Sequence, residues 1–297
     1  MNSLPIELIQ KTLCYCDQLS IYQFALTNHR YYLIAMPLVY AHVTLYDDSD
    51  MMCAFQHSVS NGSFGQNVKT LDIQGHIDPV SLEQIAAGCP GLEQLDIVRF
   101  SPIQAASMCR LIQNSFQLKR LSCRLTFVES SLPDISQTHL QSLTLSGTSD
   151  AYLPFLNCVL RSSPDLKVFN LRTHAAAMSQ IIPILPTGLQ VLKFRGTFSA
   201  LDLAQLSRRC RHLKTLDLSF CNMTDETEAF EMYFPHLTSL DLQCTYLRMP
   251  HLLFIFKYFQ YVPQILISEL FFEIFTTSDE MPHGLQIVKN SGRYNVM

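Results

Sequence analysis

The chain has 297 residues, of which 48% are hydrophobic and 15% charged, the balance of a folded protein rather than a disordered one. That length fits two ordinary domains, or one small adaptor followed by an elongated array. A net charge of −4 and a pI near 6.2 exclude a general nucleic-acid binder, which needs a basic excess.

The opening Met1-Asn2-Ser3-Leu4-Pro5 has no basic stretch followed by an apolar run, so no secretory signal is expected. The ten cysteines then read as reduced thiols of the cytoplasm or nucleus rather than a disulfide framework. Leu4 to Leu13 predicts a helix with Pro5 near its first position and Leu4, Leu8, Ile9 and Leu13 as its apolar residues. A second short helix follows, with Ser20 placed to cap it and Ile21, Phe24 and Ala25 on one side. A third segment, Tyr31 to Tyr40, is interrupted by Pro37. So small a unit cannot build a large core, and its apolar faces predict docking on a partner.

This segment resembles an F-box. The matching residues are Leu4-Pro5-x-Glu7-Leu8, Ala25-Leu26, and the run Pro37-Leu38-Val39-Tyr40-Ala41-His42-Val43-Thr44-Leu45, which resembles the end of F-boxes in fungal F-box/leucine-rich-repeat proteins. It departs from the family at Tyr31, where Trp is usual, at Thr27-Asn28, and at Ser20, which replaces an acidic residue. The resemblance implies docking on a Skp-family adaptor, and through it a cullin-RING ubiquitin ligase. The adaptor-binding residues it implies are Leu4, Pro5, Leu8, Ile9, Leu13, Ile21, Phe24, Ala25 and Tyr31.

From residue 68 onward a short motif recurs: Val68-Lys69-Thr70-Leu71-Asp72-Ile73, then again from Leu92, Leu118, Leu140, Leu166, Leu189, Leu213 and Leu237. Val68 to Leu237 makes seven steps over 169 residues, about 24 per step, inside the 20–29 residue period of leucine-rich repeats. In each motif the last two apolar residues lie two apart and face one side of a short strand. Helix-like segments such as Val80–Ala87 and Ala200–Leu206 separate the strands, and Pro or Gly often precedes the next one. No unit can bury its apolar face alone; stacking neighbours makes the core continuous. Cys210 to Asp225 resembles the cysteine-containing repeats common in F-box proteins, with partial support from Cys89-Pro90-Gly91-Leu92.

The expected architecture is α/β: a short helical F-box over 1–46, and a leucine-rich-repeat horseshoe over 47–246 with parallel strands on the concave face and helices outside. An atypical cap or irregular tail is expected over 247–297, because the repeat stops after Leu242 and Phe-rich sequence follows. The stretch His251 to Phe275 is apolar, but Lys257, Pro263, Glu269 and Glu273 disqualify it as a membrane span.

Strand alternation also gives the outward residues. The middle strands carry Arg120, Arg124, Arg172, Lys193 and Arg195, and the flanking strands carry Asp72, Asp96, Asp217 and Asp241. With strands ~5 Å apart, Arg120 to Lys193 is three steps or about 15 Å, the span of a short extended peptide. Two readings stay open: a solvated polar concave face, or a site where these five basic residues receive an acidic or phosphorylated target segment. Cys14-x-Cys16 lacks the second ligand pair of a structural zinc site. No Gly-x-Ser-x-Gly elbow, Gly-rich phosphate loop or paired-His motif is present. The expectation is a binding protein with no cofactor and no catalytic site of its own, recognising targets for ubiquitin ligation; the alternative is a repeat scaffold with no ligase role.

Overall fold

The computed structural model describes residues 4–46, 49–61, 64–97, 103–127, 132–133, 135–147, 153–224, 231–268 and 285–287. They fall into two compact units, Met1–His139 and Leu140–Met297.

The first unit opens with three helices, α1 (Ile6–Leu13), α2 (Gln18–Ala25) and α3 (His29–Val39). The N-cap of α2 is Asp17, not Ser20: its carboxylate accepts from the Ser20 N–H at 2.9 Å and from the Ser20 hydroxyl at 2.6 Å. Helix α3 begins at His29, where the Asn28 side chain accepts from the Tyr31 N–H at 2.9 Å, and it runs through Pro37 without interruption. Pro37 lies in the last turn, so only the Leu33 carbonyl loses its donor. Leu33 is itself exposed, so water can replace that bond.

A strand, β1 (His42–Leu45), follows α3 almost directly. Then come α4 (Ser49–Asn61), β2 (Thr70–Ile73), α5 (Pro79–Gly88), β3 (Gln94–Ile97), β4 (Ile103–Gln104), α6 (Ala105–Asn114) and β5 (Arg120–Phe127). All pairings are parallel: His42 meets Thr70, Thr70 meets Gln94, and Gln94 meets Arg120, while β4 pairs with β5. The end of the F-box-like run is thus the first strand of the ladder. Gln18 joins the helices to it, its side-chain amide donating to the carbonyls of Val39 at 2.8 Å and His42 at 3.0 Å. Tyr40 also stacks on Phe64, ring centroids 4.8 Å apart. Gly88 is required by close approach: a Cβ there would stand 1.9 Å from Val59 Cγ1.

The second unit contains β6 (Ser142–Gly147), α7 (Leu153–Ser162), β7 (Val168–Ala177), α8 (Met178–Ile181), β8 (Val191–Phe198) and α9 (Ala200–Arg209). It continues with β9 (Thr215–Asp217), β10 (Asn222–Met223), β11 (Ser239–Leu242), α10 (Met249–Phe259), β12 (Gln264–Ile267) and β13 (Leu285–Ile287). The main ladder is parallel and in register, Val168 with Val191, Val191 with Thr215, Thr215 with Ser239, and Ser239 with Gln264. All eight recurring motifs therefore form strands.

The repeat does not stop at Leu242. Helix α10 and strand β12 continue the ladder, with Leu240 paired to Ile265, within the stretch 247–297 read from sequence as an atypical cap or irregular tail. Phe254, Ile255 and Phe259 are buried in α10; a conventional repeat is packed here with aromatic side chains in place of leucines, which hid its period. The second Phe-rich tract, Leu270 to Phe275, lies outside the described residues.

Burial follows the alternation. Leu71/Ile73, Leu95/Ile97 and Leu121/Cys123 are buried in the first unit; Leu143/Leu145, Phe169/Leu171, Leu192/Phe194, Leu216/Leu218, Leu240/Leu242 and Ile265/Ile267 are buried in the second. Each such side chain contributes roughly 1.5–3 kcal/mol. Buried polar groups add a second tie between repeats. The Thr245 hydroxyl donates to the Leu218 carbonyl at 2.6 Å, and the Cys221 thiol to the Phe194 carbonyl at 3.1 Å, each reaching back one repeat.

Candidate functional site

Two surfaces concentrate unusual chemistry, one in each unit. In the first unit, the helices form a small core of their own from Ile9, Leu13, Ile21, Ala25, Ile34, Ala35 and Met36, with Phe24 and Tyr31 packed against it. Phe24 and Tyr31 stack at 4.4 Å. Ile9, Leu13, Ile21 and Ala25, read from sequence as adaptor-binding residues, are thus buried in this core. Helices of 8 to 11 residues cannot hide both faces in so small a core, so the opposite faces stay open. Leu4, Pro5 and Leu8 are exposed as expected.

The sequence reading missed the rest of that surface. Leu19, Tyr22 and Leu26 are exposed along α2 and its C-cap, at i, i+3 and i+7, which is one stripe of a helix. Ile6, Tyr15 and Leu33 are exposed too. Eight of the seventeen large apolar side chains left exposed among the described residues thus lie between Leu4 and Leu33. Such concentration differs from the singly scattered apolar residues of an ordinary protein surface. The missed signal was the second apolar period in α2, on a different face from Ile21 and Ala25.

The basic set divides between the units. Arg120 is exposed and Arg124 half-buried on β5 of the first unit. In the second, Arg172 and Arg195 are register partners on β7 and β8, and Lys193 is the partner of Asn170 one row earlier. Leu171, Thr173, Phe194 and Gly196 are buried beside them, so both guanidiniums leave the same side of the sheet. Among the described residues neither has a carboxylate partner. Arg195 instead rests over the Phe220 ring, 4.7 Å from its centroid.

Phe220 was not foreseen. It sits in the turn after β9 with φ of 60°, and Cys244 occupies the same turn one repeat later with φ of 55°. In both, the strand aspartate holds the turn: Asp217 accepts from the Ser219 N–H at 3.0 Å, and Asp241 from the Gln243 N–H at 2.9 Å. A left-handed turn costs a bulky side chain about 1–2 kcal/mol and here leaves the ring half exposed.

Acidic rows lie beside the basic one. Lys193 approaches Asp217 at 3.8 Å, and Asp217 is the register partner of Asp241. The Asp241 carboxyl is pushed above its ordinary range, first by burial and then by the Asp217 charge, against the Gln243 N–H and Lys193. In the first unit Asp72 is the register partner of Asp96, each accepting from a glutamine amide two residues away, Gln74 at 2.9 Å and Gln94 at 2.8 Å.

Among the described residues no group of three or more His, Cys, Asp or Glu side chains could hold a metal. Cys14 and Cys16 are both exposed, and the Cys16 thiol donates to the Thr12 carbonyl. Burial lifts the thiols of Cys89, Cys123 and Cys221 to about 12 and that of Cys210 to about 11, which makes them packing groups rather than nucleophiles. His212 and His236 stack at 6.0 Å in equivalent turns one repeat apart. No helix among the described residues is long and apolar enough to cross a membrane.

Residues 209–226 match the family model described as "Leucine Rich repeat". The fold is that of leucine-rich repeats. The match begins at the last residue of α9 and takes in the β9 strand, the Phe220 turn and β10. Among solved structures the chain is similar to an internalin from Listeria monocytogenes, at 12% identity and a TM-score of 0.35, over 82% of this chain and 91% of that one. No curated protein matches the chain. The repeat architecture rests on the register and burial of its own strands.

Proposed function

We propose that this leucine-rich-repeat interaction scaffold is a substrate-recognition subunit of a Skp–cullin–F-box ubiquitin ligase. The three N-terminal helices would dock on a Skp-family adaptor, and the open strand faces would hold the target protein. The observation that carries the reading is the exposed apolar surface of Leu4, Leu8, Leu19, Tyr22 and Leu26 on helices that resemble an F-box. These helices have a core of their own, so the exposed residues are surplus to folding.

In this role the chain performs no bond chemistry. A recruited conjugating enzyme transfers ubiquitin, and the receptor raises the rate by holding the target close. The five basic residues Arg120, Arg124, Arg172, Lys193 and Arg195 are the proposed target contacts, with an acidic or phosphorylated segment as ligand. A cytoplasmic or nuclear location follows from the same reading.

A hydrogen-exchange footprint of the full chain with a purified Skp adaptor tests it. Slowed exchange in α1 and α2, with β2 and β3 unchanged, is the expected result. An unchanged N-terminal region would leave a repeat scaffold with no ligase role.

A further inference from the structure

A hydroxyl sealed from water without a hydrogen-bond partner costs stability, and such a group calls for an explanation. Ser115, one position beyond α6 and its last turn, carries one: the residue is 3% exposed and its Oγ has no hydrogen-bond partner. That side chain lines a cavity of about 150 Å³ in the first unit. The origin of the cavity lies in the repeat that follows. Helix α6 packs on α5, but residues 135–139, which lead into the next strand motif, form neither helix nor strand. The place a helix would take is thus left partly open, at the C-terminal turn of α6.

The walls specify an occupant. Buried Ile112 and Leu118 give an apolar floor, and buried Thr138 joins Ser115 as a second hydroxyl residue in it. Phe116 is exposed at the rim, together with Gln113, Gln137 and His139. The last carbonyls of a helix lack intrahelical partners and carry the negative end of its dipole. In α6 the Leu111 carbonyl is taken by the Ser115 N–H at 2.9 Å, so that negative end lies at the cavity. An aromatic face likewise favours a cation. A carboxylate or phosphate is repelled by both features, and a purely aliphatic side chain would leave the Ser115 hydroxyl unpaired. Neighbouring cations do not supply the need: Arg110 is held by Glu83 and Lys119 by Glu93, each at 2.8 Å. Cavities of about 150 Å³ hold a six-carbon ring, and four methylenes with an ammonium group are no larger. A lysine side chain joins such an apolar stem to a compact head with three donors.

We propose that this cavity is a docking pocket for a lysine side chain of a partner protein. Its methylenes lie on Ile112, Leu118 and Phe116, and its ammonium donates to the Ser115 hydroxyl at the end of α6. The exposed amides of Gln113 and Gln137 at the rim suit the peptide backbone that carries the lysine. The pocket shares no residue with the N-terminal helices or with the basic strand positions, and it does not depend on a ligase role.

Methyl NMR of the full chain titrated with Nα-acetyl-lysine N-methylamide tests it. The Ile112 and Leu118 methyl resonances are expected to move saturably, in the millimolar range usual for so small a ligand. Capped norleucine, which keeps the stem and lacks the ammonium, should bind at least about tenfold more weakly. n-Butylamine, which has no backbone for the rim amides, should bind about threefold more weakly than capped lysine. Ser115→Ala should weaken lysine binding about tenfold. The same change should leave the urea midpoint unchanged or raised, because it removes a buried hydroxyl that has no partner. Phe116→Leu keeps an apolar rim but loses the π face and should weaken binding several-fold, whereas Gln117→Ala, outside the lining, should change nothing.

Capped norleucine binding as tightly as capped lysine would overturn the ammonium assignment. Butylamine binding as tightly as capped lysine would overturn the protein partner in favour of a free amine. No methyl shift with any of the three ligands, or undiminished binding by Ser115→Ala, would overturn the pocket itself. None of these outcomes bears on adaptor docking, which is read at the N-terminal helices.

Discussion

Replacing Ile9 and Leu19 separately by alanine distinguishes the two faces of the N-terminal helices. Ile9 is 7% exposed and packs with Leu13, Ile21 and Ala25, so Ile9→Ala removes buried carbon and leaves a cavity. That class of change costs about 2–5 kcal/mol. Leu19 is 65% exposed, and Leu19→Ala should stay within about 0.5 kcal/mol. Native-state hydrogen exchange reads both, because the helices open as a local unit. At roughly 1.4 kcal/mol per tenfold, Ile9→Ala should lower protection in α1 to α3 by about 25-fold to 4,000-fold. Leu19→Ala should lower it less than about threefold by the same conversion. Equal loss of protection in the two variants, or none in Ile9→Ala, would refute the division into a self-buried core and a surplus surface.

Three other outcomes follow from particular contacts. The raised Asp241 carboxyl means that the folded state binds its proton more tightly than the unfolded chain does. Its contribution therefore favours folding below the ordinary carboxylate range and becomes a penalty as pH rises past it. Asp241→Asn keeps an oxygen for the Gln243 N–H, so its stability advantage in urea unfolding should be larger at about pH 7 than at about pH 3; a gap that does not widen contradicts this. Thr245→Val should cost about 1 kcal/mol, because the Leu218 carbonyl keeps only the Cys221 N–H at 3.2 Å. Thr245→Ser should restore the urea midpoint, and equal midpoints for Val and Ser would sink the repeat-to-repeat tie. In native alkylation followed by mass spectrometry, exposed Cys14, Cys16, Cys53 and Cys244 should label well before Cys89, Cys123, Cys210 and Cys221. Labelling of Cys123 as fast as Cys14 would contradict its burial.

The strands were legible because a leucine pair two residues apart recurs every 24 residues or so, and that spacing is dictated by a pleated strand with one buried face. His42–Leu45 escaped notice as a strand because its run reads equally well as the end of an F-box, and because its step to Thr70 is 28 residues. The unit built on α10 and β12 escaped because Phe and Ile replace the leucines of the motif. The helical caps show a related limit: Asp17 and Ser20 are both good N-cap residues, and only the backbone geometry selects between them. At the candidate sites, alternation placed the basic side chains on the correct side of their strands. It could not foresee Phe220, since a phenylalanine at positive φ runs against intrinsic preference. Nor could it tell buried Ile9 from exposed Leu8, which are adjacent apolar residues whose roles differ by one helical step of 100°.

Titration calorimetry of a purified Skp-family adaptor into the full chain tests the central claim most directly, with a Leu19→Asp/Leu26→Asp variant measured in parallel. The account predicts saturable binding by the wild type and its loss in the variant, with protection of the Ile9–Ala25 core unchanged. Absence of binding by the wild type, or undiminished binding by the variant, would contradict it.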